Sequence, residues 1–398
     1  MPQMLWLILC LGFVWASVFN ILPVSFPAFR EAFGATTEQL GRTELLFFLG
    51  GLMFTAVGGY FIERLGLKRA AAVAALFTSS SLVVIGTAAG LTIVLLGAAS
   101  FGLAMASLDV ACSSIIAEYF GKKRQSIFLL YAAVTSLGGI VGPASLGWWL
   151  THGKPTAQNW RAGYYLVACV LIPLAIWAVR APSMRSPGQS NLTAPTKSLD
   201  GMRFILSRGT IYVLGFAYFL HGVAQTGMVS WVGQLYQKKY GIDAAQAAYL
   251  ISSELLGFLL GRSLLSLITR RWRIPELLLM GICAGSASLA FVATISAPSY
   301  RWGLITFMIA GFFVSADGPS INSYVGLRFG DRAAHAFVLM NGIGVLGSAV
   351  GSYVTGLLGE RYGLDRGIWF MPGFSTSLSL LALVWALRER RCAGRTAV

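Results

Sequence analysis

Long apolar runs alternate with short polar breaks along the whole 398-residue chain. A helix of about 20 mainly apolar residues is long enough to cross the hydrocarbon of a bilayer. Twelve such runs can be drawn: residues 4–28, 43–62, 70–89, 92–119, 126–150, 162–181, 208–236, 245–268, 275–295, 301–327, 333–358 and 367–387. The breaks are short except for residues 183–206, which are rich in Pro, Ser, Gly, Asn and Thr and read as a linker. The pattern predicts an all-α membrane protein with twelve transmembrane helices in two six-helix bundles. These are residues 1–182 and 207–398, joined by a cytoplasmic linker over 183–206. The first run has neither a charged leader nor a small-residue cleavage site, so it reads as a retained first helix.

Composition sharpens this picture. The chain is 56% hydrophobic and only 11% charged, where a soluble domain carries about a quarter charged residues. A net charge of +15 could suggest nucleic acid, but the cations fall in short clusters between apolar runs rather than in one patch. The lipid bilayer is therefore the expected surrounding, with no nucleic-acid partner. Cations favour the cytoplasmic side of membrane helices. With both termini inside, that side takes twenty of the 30 Lys and Arg and the opposite side nine, leaving Arg262 within a span. The expectation is a multi-pass protein of the plasma (inner) membrane, with both termini cytoplasmic, working as a monomer. The five cysteines are scattered and imply no disulfide framework and no metal site. No cofactor is implied. No nucleophile–base pair stands at catalytic spacing, which argues against an enzyme.

The two halves repeat. A shift of 209 carries Phe120 onto Phe329, Leu137-Gly138 onto Leu346-Gly347, Val141-Gly142 onto Val350-Gly351 and Trp160 onto Trp369. A shift of 210 carries Glu44-Leu45-Leu46 onto Glu254-Leu255-Leu256. Between the second and third runs lies Gly59-Tyr60-Phe61-Ile62-Glu63-Arg64-Leu65-Gly66-Leu67-Lys68-Arg69. Gly59 suits close helix approach, Gly66 a tight turn, and Lys68 and Arg69 the cytoplasmic face. Glu63 suits the N-terminus of a neighbouring helix. This stretch resembles the loop signature of the major facilitator superfamily and departs from it only in having Glu63 for the usual Asp. The resemblance implies parallel six-helix halves and a substrate site between them near the midplane. It also implies gating roles for Gly59, Glu63, Arg64, Gly66, Lys68 and Arg69, with Glu118 and Arg124 helping to latch the cytoplasmic side. The second half keeps only the cations of this signature.

Ionisable groups deep in a span are costly unless paired or facing water, so each is a candidate for function. Asp109 lies inside the fourth run and Asp317 in the matching part of the tenth. A carboxyl held away from water can bind and release a proton, as a proton-coupled carrier requires. His221 is a third candidate for proton coupling, because imidazole titrates near neutrality. In the seventh run, His221 and Gln225 are four apart and share a helix face. With Trp231 they offer an imidazole, an amide and an indole, which suit the hydroxyls and the apolar face of a sugar or polyol. Asn20, Tyr131, Asn322 and Asn341 would extend that polar lining, and each could instead join helices to one another. Glu254 and Arg262, eight residues apart on roughly one face, read as a structural charge network.

Phe13-Val14-Trp15-Ala16, Asn20, Ala28-Phe29-Arg30-Glu31-Ala32-Phe33, Leu108-Asp109, Ser230-Trp231 and Gly261-Arg262 resemble the fucose-permease-like sugar–proton symporters. The resemblance implies that Asp109 carries the proton. Two positions depart from it: Pro23 stands where that family has a helix-one acid, and Ser113 near its helix-four Asn. Loss of the first acid leaves coupling to fewer groups, or makes the protein a uniporter. The function implied is a secondary active transporter moving a small polar solute by alternating access, with sugar–proton symport in front. The alternatives are an exporter of amphipathic compounds, an organic-anion carrier using Arg262, and a non-transporting membrane sensor on the same scaffold.

Overall fold

A computed structural model describes residues 2–120, 124–152, 159–181, 203–272, 274–329 and 333–395. The helices are α1 (Pro2–Phe19), α2 (Ile21–Phe33), α3 (Thr37–Leu65), α4 (Leu67–Gly86), α5 (Leu91–Tyr119), α6 (Arg124–His152) and α7 (Asn159–Arg180). They continue as α8 (Gly209–Tyr240), α9 (Ala244–Trp272), α10 (Glu276–Ile295), α11 (Tyr300–Val314) and α12 (Asp317–Phe329). The last are α13 (Ala333–Tyr362), α14 (Leu364–Gly367) and α15 (Phe370–Arg395). Among the described residues, nine helices are long and apolar enough to cross a membrane, or ten if the bent pair α1–α2 is one span. The expected runs fall on these or on the long helices α3 and α8, so the all-α membrane architecture stands. Most of the expected linker, residues 182–202, lies outside the described residues.

The surface fits lipid rather than water. Leu166, Ile176 and Val179 of α7 are exposed, as are Leu380 and Leu387 of α15. In water such apolar faces would demand a partner; in hydrocarbon they are at home. Exposed Trp148, Trp149, Trp272 and Trp302 sit near helix ends, where amphipathic rings suit the membrane interface.

One span is bent and another is interrupted, each beside a proline. The α1–α2 pair bends by 41° around Asn20, where Pro23 has no N–H to give the Phe19 carbonyl. Pro23 therefore has a structural role at the position where the resembled symporters carry an acid. Between α11 and α12, Pro319 likewise leaves the Ser315 carbonyl without its helical donor, and Asp317 begins the new helix. A carboxylate is favoured at such a helix start.

The chain divides into two compact units: Met1–Thr193 with Gly233–Ser252, and Ala194–Val232 with Ser253–Val398. In the first, α3 packs on α5, α4 on α5 and α7, and α1 on α6. Arg161 donates to the carbonyls of Gly86 (2.8 Å) and Ala88 (2.8 Å), satisfying the end of α4. The 233–252 segment is tied to α6 by Ala245 N–H to Thr151 Oγ1 (3.0 Å) and Ser252 Oγ to the Ile140 carbonyl (2.8 Å). In the second unit, α10 packs on α11, α12 and α15. Ile211, Leu214, Met280, Ile321, Val325 and Leu378 help form its apolar core.

Glycine sets the closest helix approach in both units, as small residues do at membrane interfaces. A Cβ on Gly102 of α5 would strike the Phe47 carbonyl, and one on Gly311 of α11 the Glu254 carbonyl. The two glycines are 209 residues apart, the offset of the internal repeat. Gly102→Val is expected to cost about 3 kcal/mol of stability through overpacking against backbone. A thermal unfolding scan of the purified protein checks this. Gly373→Ala, whose added methyl meets nothing within 4 Å, is expected to leave the midpoint in place.

Candidate functional site

In the second unit, one side of α8 gathers most of the ionisable candidates. His221 Nδ1 lies 3.1 Å from Asp317 Oδ2, which joins α8 to the start of α12. Asp317 is only 2% exposed, and its other oxygen, Oδ1, is buried without a hydrogen-bond partner. One turn further along α8, Gln225 Nε2 donates to Glu254 Oε1 of α9 at 3.2 Å. Glu254 is 1% exposed, and its Oε2 is likewise unpartnered. Two residues four apart on one helix thus each hold a buried carboxyl from a different neighbour.

Tyr218, three residues before His221, completes this face. Its ring stacks on the imidazole at 5.8 Å with an interplanar angle of 8°. A Cβ on Gly344 of α13 would press on the tyrosine ring at 2.6 Å, so the glycine leaves the ring its place. Arg262 stands exposed on α9, its guanidinium 4.4 Å from the centre of the Phe258 ring. It lies within electrostatic reach of Glu254 and Tyr218. Glu254 and Arg262, expected as a charge network, form no direct ion pair among the described residues: Gln225 holds the acid and Phe258 the cation. Trp231 is fully buried, and its indole N–H donates to the Ser352 carbonyl at 2.9 Å. That makes it a packing group of the unit. Asn322 and Asn341 are exposed.

In the first unit, Asp109 of α5 is partly buried. Tyr131 of α6 is in electrostatic range of it, with its hydroxyl beside the thiol of Cys112. The Tyr131 ring rests against Gly12, where a Cβ would collide with it. Trp15 of α1 donates its indole N–H to the Met105 carbonyl of α5 at 2.9 Å. Asn20 sits at the α1–α2 bend.

Of the expected gating residues, Gly66 has φ +73°, a left-handed backbone that glycine adopts without cost. The Lys68 ammonium donates to the Ala181 carbonyl just past α7. Arg64 lines a cavity of about 420 Å³ with Phe54, Phe61 and Phe77, and Arg69 is exposed. Gly59 lies within α3, and the side chains of Glu63, Glu118 and Arg124 lie outside the described residues.

Tyr218 and Cys112 escaped the sequence reading. Each stands three residues from a candidate, Tyr218 from His221 and Cys112 from Asp109, so helical spacing could have nominated both. Among the described residues no group of three or more His, Cys, Asp or Glu side chains could hold a metal ion.

Charged and polar pairs inside apolar helices mark membrane proteins that move something across the bilayer. The sequence profile of the Major Facilitator Superfamily matches residues 7–351 and 214–397. This chain belongs to that superfamily. It is an integral, multi-pass membrane protein of a family of transporters, not enzymes. One relative, an uncharacterised MFS-type transporter of Yersinia pestis, is 24% identical over 348 residues, spanning 85% of this chain and 84% of its own. Among solved structures, a bacterial homologue of the human lysosomal transporter Spinster, inward-facing and unoccupied, has a TM-score of 0.77 at 16% identity. The match covers 96% of this chain and 97% of that one. The Escherichia coli fucose:proton symporter FucP, in its outward conformation, has a TM-score of 0.66 at 17% identity. It covers 96% of this chain and 98% of that one. At these identities the likeness is one of fold.

Proposed function

We propose that this chain is a proton-coupled symporter of a small polar solute, a sugar or polyol, working by alternating access as a monomer of the inner membrane. Both termini are then cytoplasmic, and the working halves are the six-helix bundles 1–182 and 207–398. The observation that carries the reading is the His221–Asp317 contact at 3.1 Å, with one Asp317 oxygen buried and unpartnered. An imidazole and a carboxyl at that distance can share or exchange a proton without leaving the membrane interior. Asp109 is the proton site of the first unit. Asn20, Tyr131, Gln225, Asn322 and Asn341 supply hydrogen bonds for solute hydroxyls, and Trp231 braces the packing within the second unit. The resemblance to the fucose-permease-like symporters, and the fucose named for the solved neighbour, favour a sugar over other polar solutes. In the gating loop, Glu63 docks on a helix end or a cation when the cytoplasmic side is shut.

One observation favours a second reading: Arg262 is an exposed cation within a membrane helix, as a carrier of organic anions would need. Uptake into proteoliposomes, driven by an imposed pH gradient, separates the two with a panel of sugars, polyols and carboxylates. The expected result is uptake of a sugar or polyol whose KM changes little in Arg262→Gln. Carboxylate uptake with a KM raised about ten-fold or more by that substitution, as loss of a charged hydrogen bond would give, would select the anion carrier.

A further inference from the structure

The second unit has a further cavity, away from His221 and Asp317. It is an open cavity of about 710 Å³ between α8, α12 and α15, lined by Val213, Val384 and Trp385 and by the charged Arg328, Arg388 and Glu389. We propose that this cavity is a binding site for an anionic phospholipid. The inference needs only a membrane around the protein and is independent of what the protein transports.

The charges point to an anion. Two guanidinium groups and one carboxyl line the cavity, and that carboxyl is engaged: the Tyr324 hydroxyl donates to Glu389 Oε1. Tyr324 is itself fixed by its ring, which meets the Trp385 ring edge-on at 5.3 Å. Among the described residues, Arg328 and Arg388 form neither a hydrogen bond nor an ion pair, and both are exposed. Two free arginines beside one hydrogen-bonded carboxylate leave a net positive charge, a cradle for a phosphodiester, which guanidinium groups bind with two parallel hydrogen bonds.

The walls point to a lipid rather than a free ion. Val213 is 37% exposed and Val384 49%, so the apolar side of the cavity continues onto a face suited to acyl chains. Trp385 lines the cavity together with these valines and the arginines, and an amphipathic ring suits the level of the headgroups. The arginines lie near the C-terminal ends of α12 and α15, the ends that the cation bias assigns to the cytoplasm. Basic pockets between membrane helices on that side suit anionic headgroups.

Native mass spectrometry of the full-length protein tests the site, with phosphatidylglycerol and phosphatidylcholine offered in equal amounts. The wild type is expected to retain phosphatidylglycerol over phosphatidylcholine by about thirty-fold, roughly five-fold for each arginine. Arg328→Gln and Arg388→Gln should each remove about five-fold, the pair should approach parity, and Arg388→Lys should keep most of the preference. Val384→Trp, which fills the cavity and leaves the charges in place, should abolish retention. A thermal unfolding scan of each purified variant checks that it is folded. Unchanged preference in the double variant, or full retention in Val384→Trp, would overturn the proposal in favour of diffuse surface charge. Displacement of the lipid by excess inorganic phosphate would overturn it in favour of a free-anion site.

Discussion

Asp109→Asn is expected to turn accumulation of the solute into simple equilibration across the proteoliposome membrane. With one proton per solute and a pH difference of one unit, the gradient is worth about 1.36 kcal/mol, enough for about ten-fold accumulation. The amide of Asn keeps the size and much of the hydrogen bonding of the carboxyl but cannot take up a proton. Accumulation should therefore fall to about one, while exchange of labelled for unlabelled solute in the absence of a gradient persists. Asp109→Glu, which keeps the carboxyl, should restore part of the accumulation. This separation matters because Asp109 sits beside Cys112 and Tyr131, and a merely structural carboxyl there would depress exchange and accumulation together. Full accumulation by Asp109→Asn would move the coupling to His221 and Asp317.

The membrane architecture was legible because hydrocarbon imposes one simple rule, a run of apolar residues long enough to cross it. That rule is blind to breaks. The first run, 4–28, reads as one span, whereas Pro23 bends it at Asn20. The tenth, 301–327, is interrupted at Ser315 and Ala316 because Pro319 cannot donate to the Ser315 carbonyl. The site was half legible. Asp317 and His221 stood out as ionisable residues in apolar runs, but 96 positions separate them, and only the packing of α12 against α8 joins them. Spacing placed His221 and Gln225 on one face; it could not say that each would meet a different acid. Trp231 illustrates the reverse difficulty. A helix apolar on nearly every side, such as α8, hides which of its faces is packed. The indole, whose type suits a sugar, is held by the Ser352 carbonyl.

The His221–Asp317 contact should behave as a coupled pair in a double-mutant cycle. His221→Ala leaves Asp317, 2% exposed, with neither oxygen hydrogen-bonded by a side chain. Removing one member of a buried pair costs about 3–5 kcal/mol when an uncompensated charge is left behind. Asp317→Asn keeps a hydrogen-bonding group beside the imidazole and should cost less. The double substitution should be more stable than the sum of the two single losses predicts, by about 1–3 kcal/mol. Reversible unfolding in mixed detergent measures the three variants against the wild type. Transport supplies the readout that stability cannot. If the pair handles the proton, Asp317→Asn should flatten the pH dependence of uptake even where its unfolding midpoint is close to that of the wild type. If the pair only joins α8 to α12, the pH profile of Asp317→Asn should keep its shape and fall in amplitude with the folded fraction. Gly373→Ala, whose added methyl meets nothing within 4 Å, is the internal control and should leave the His221–Asp317 coupling energy unchanged.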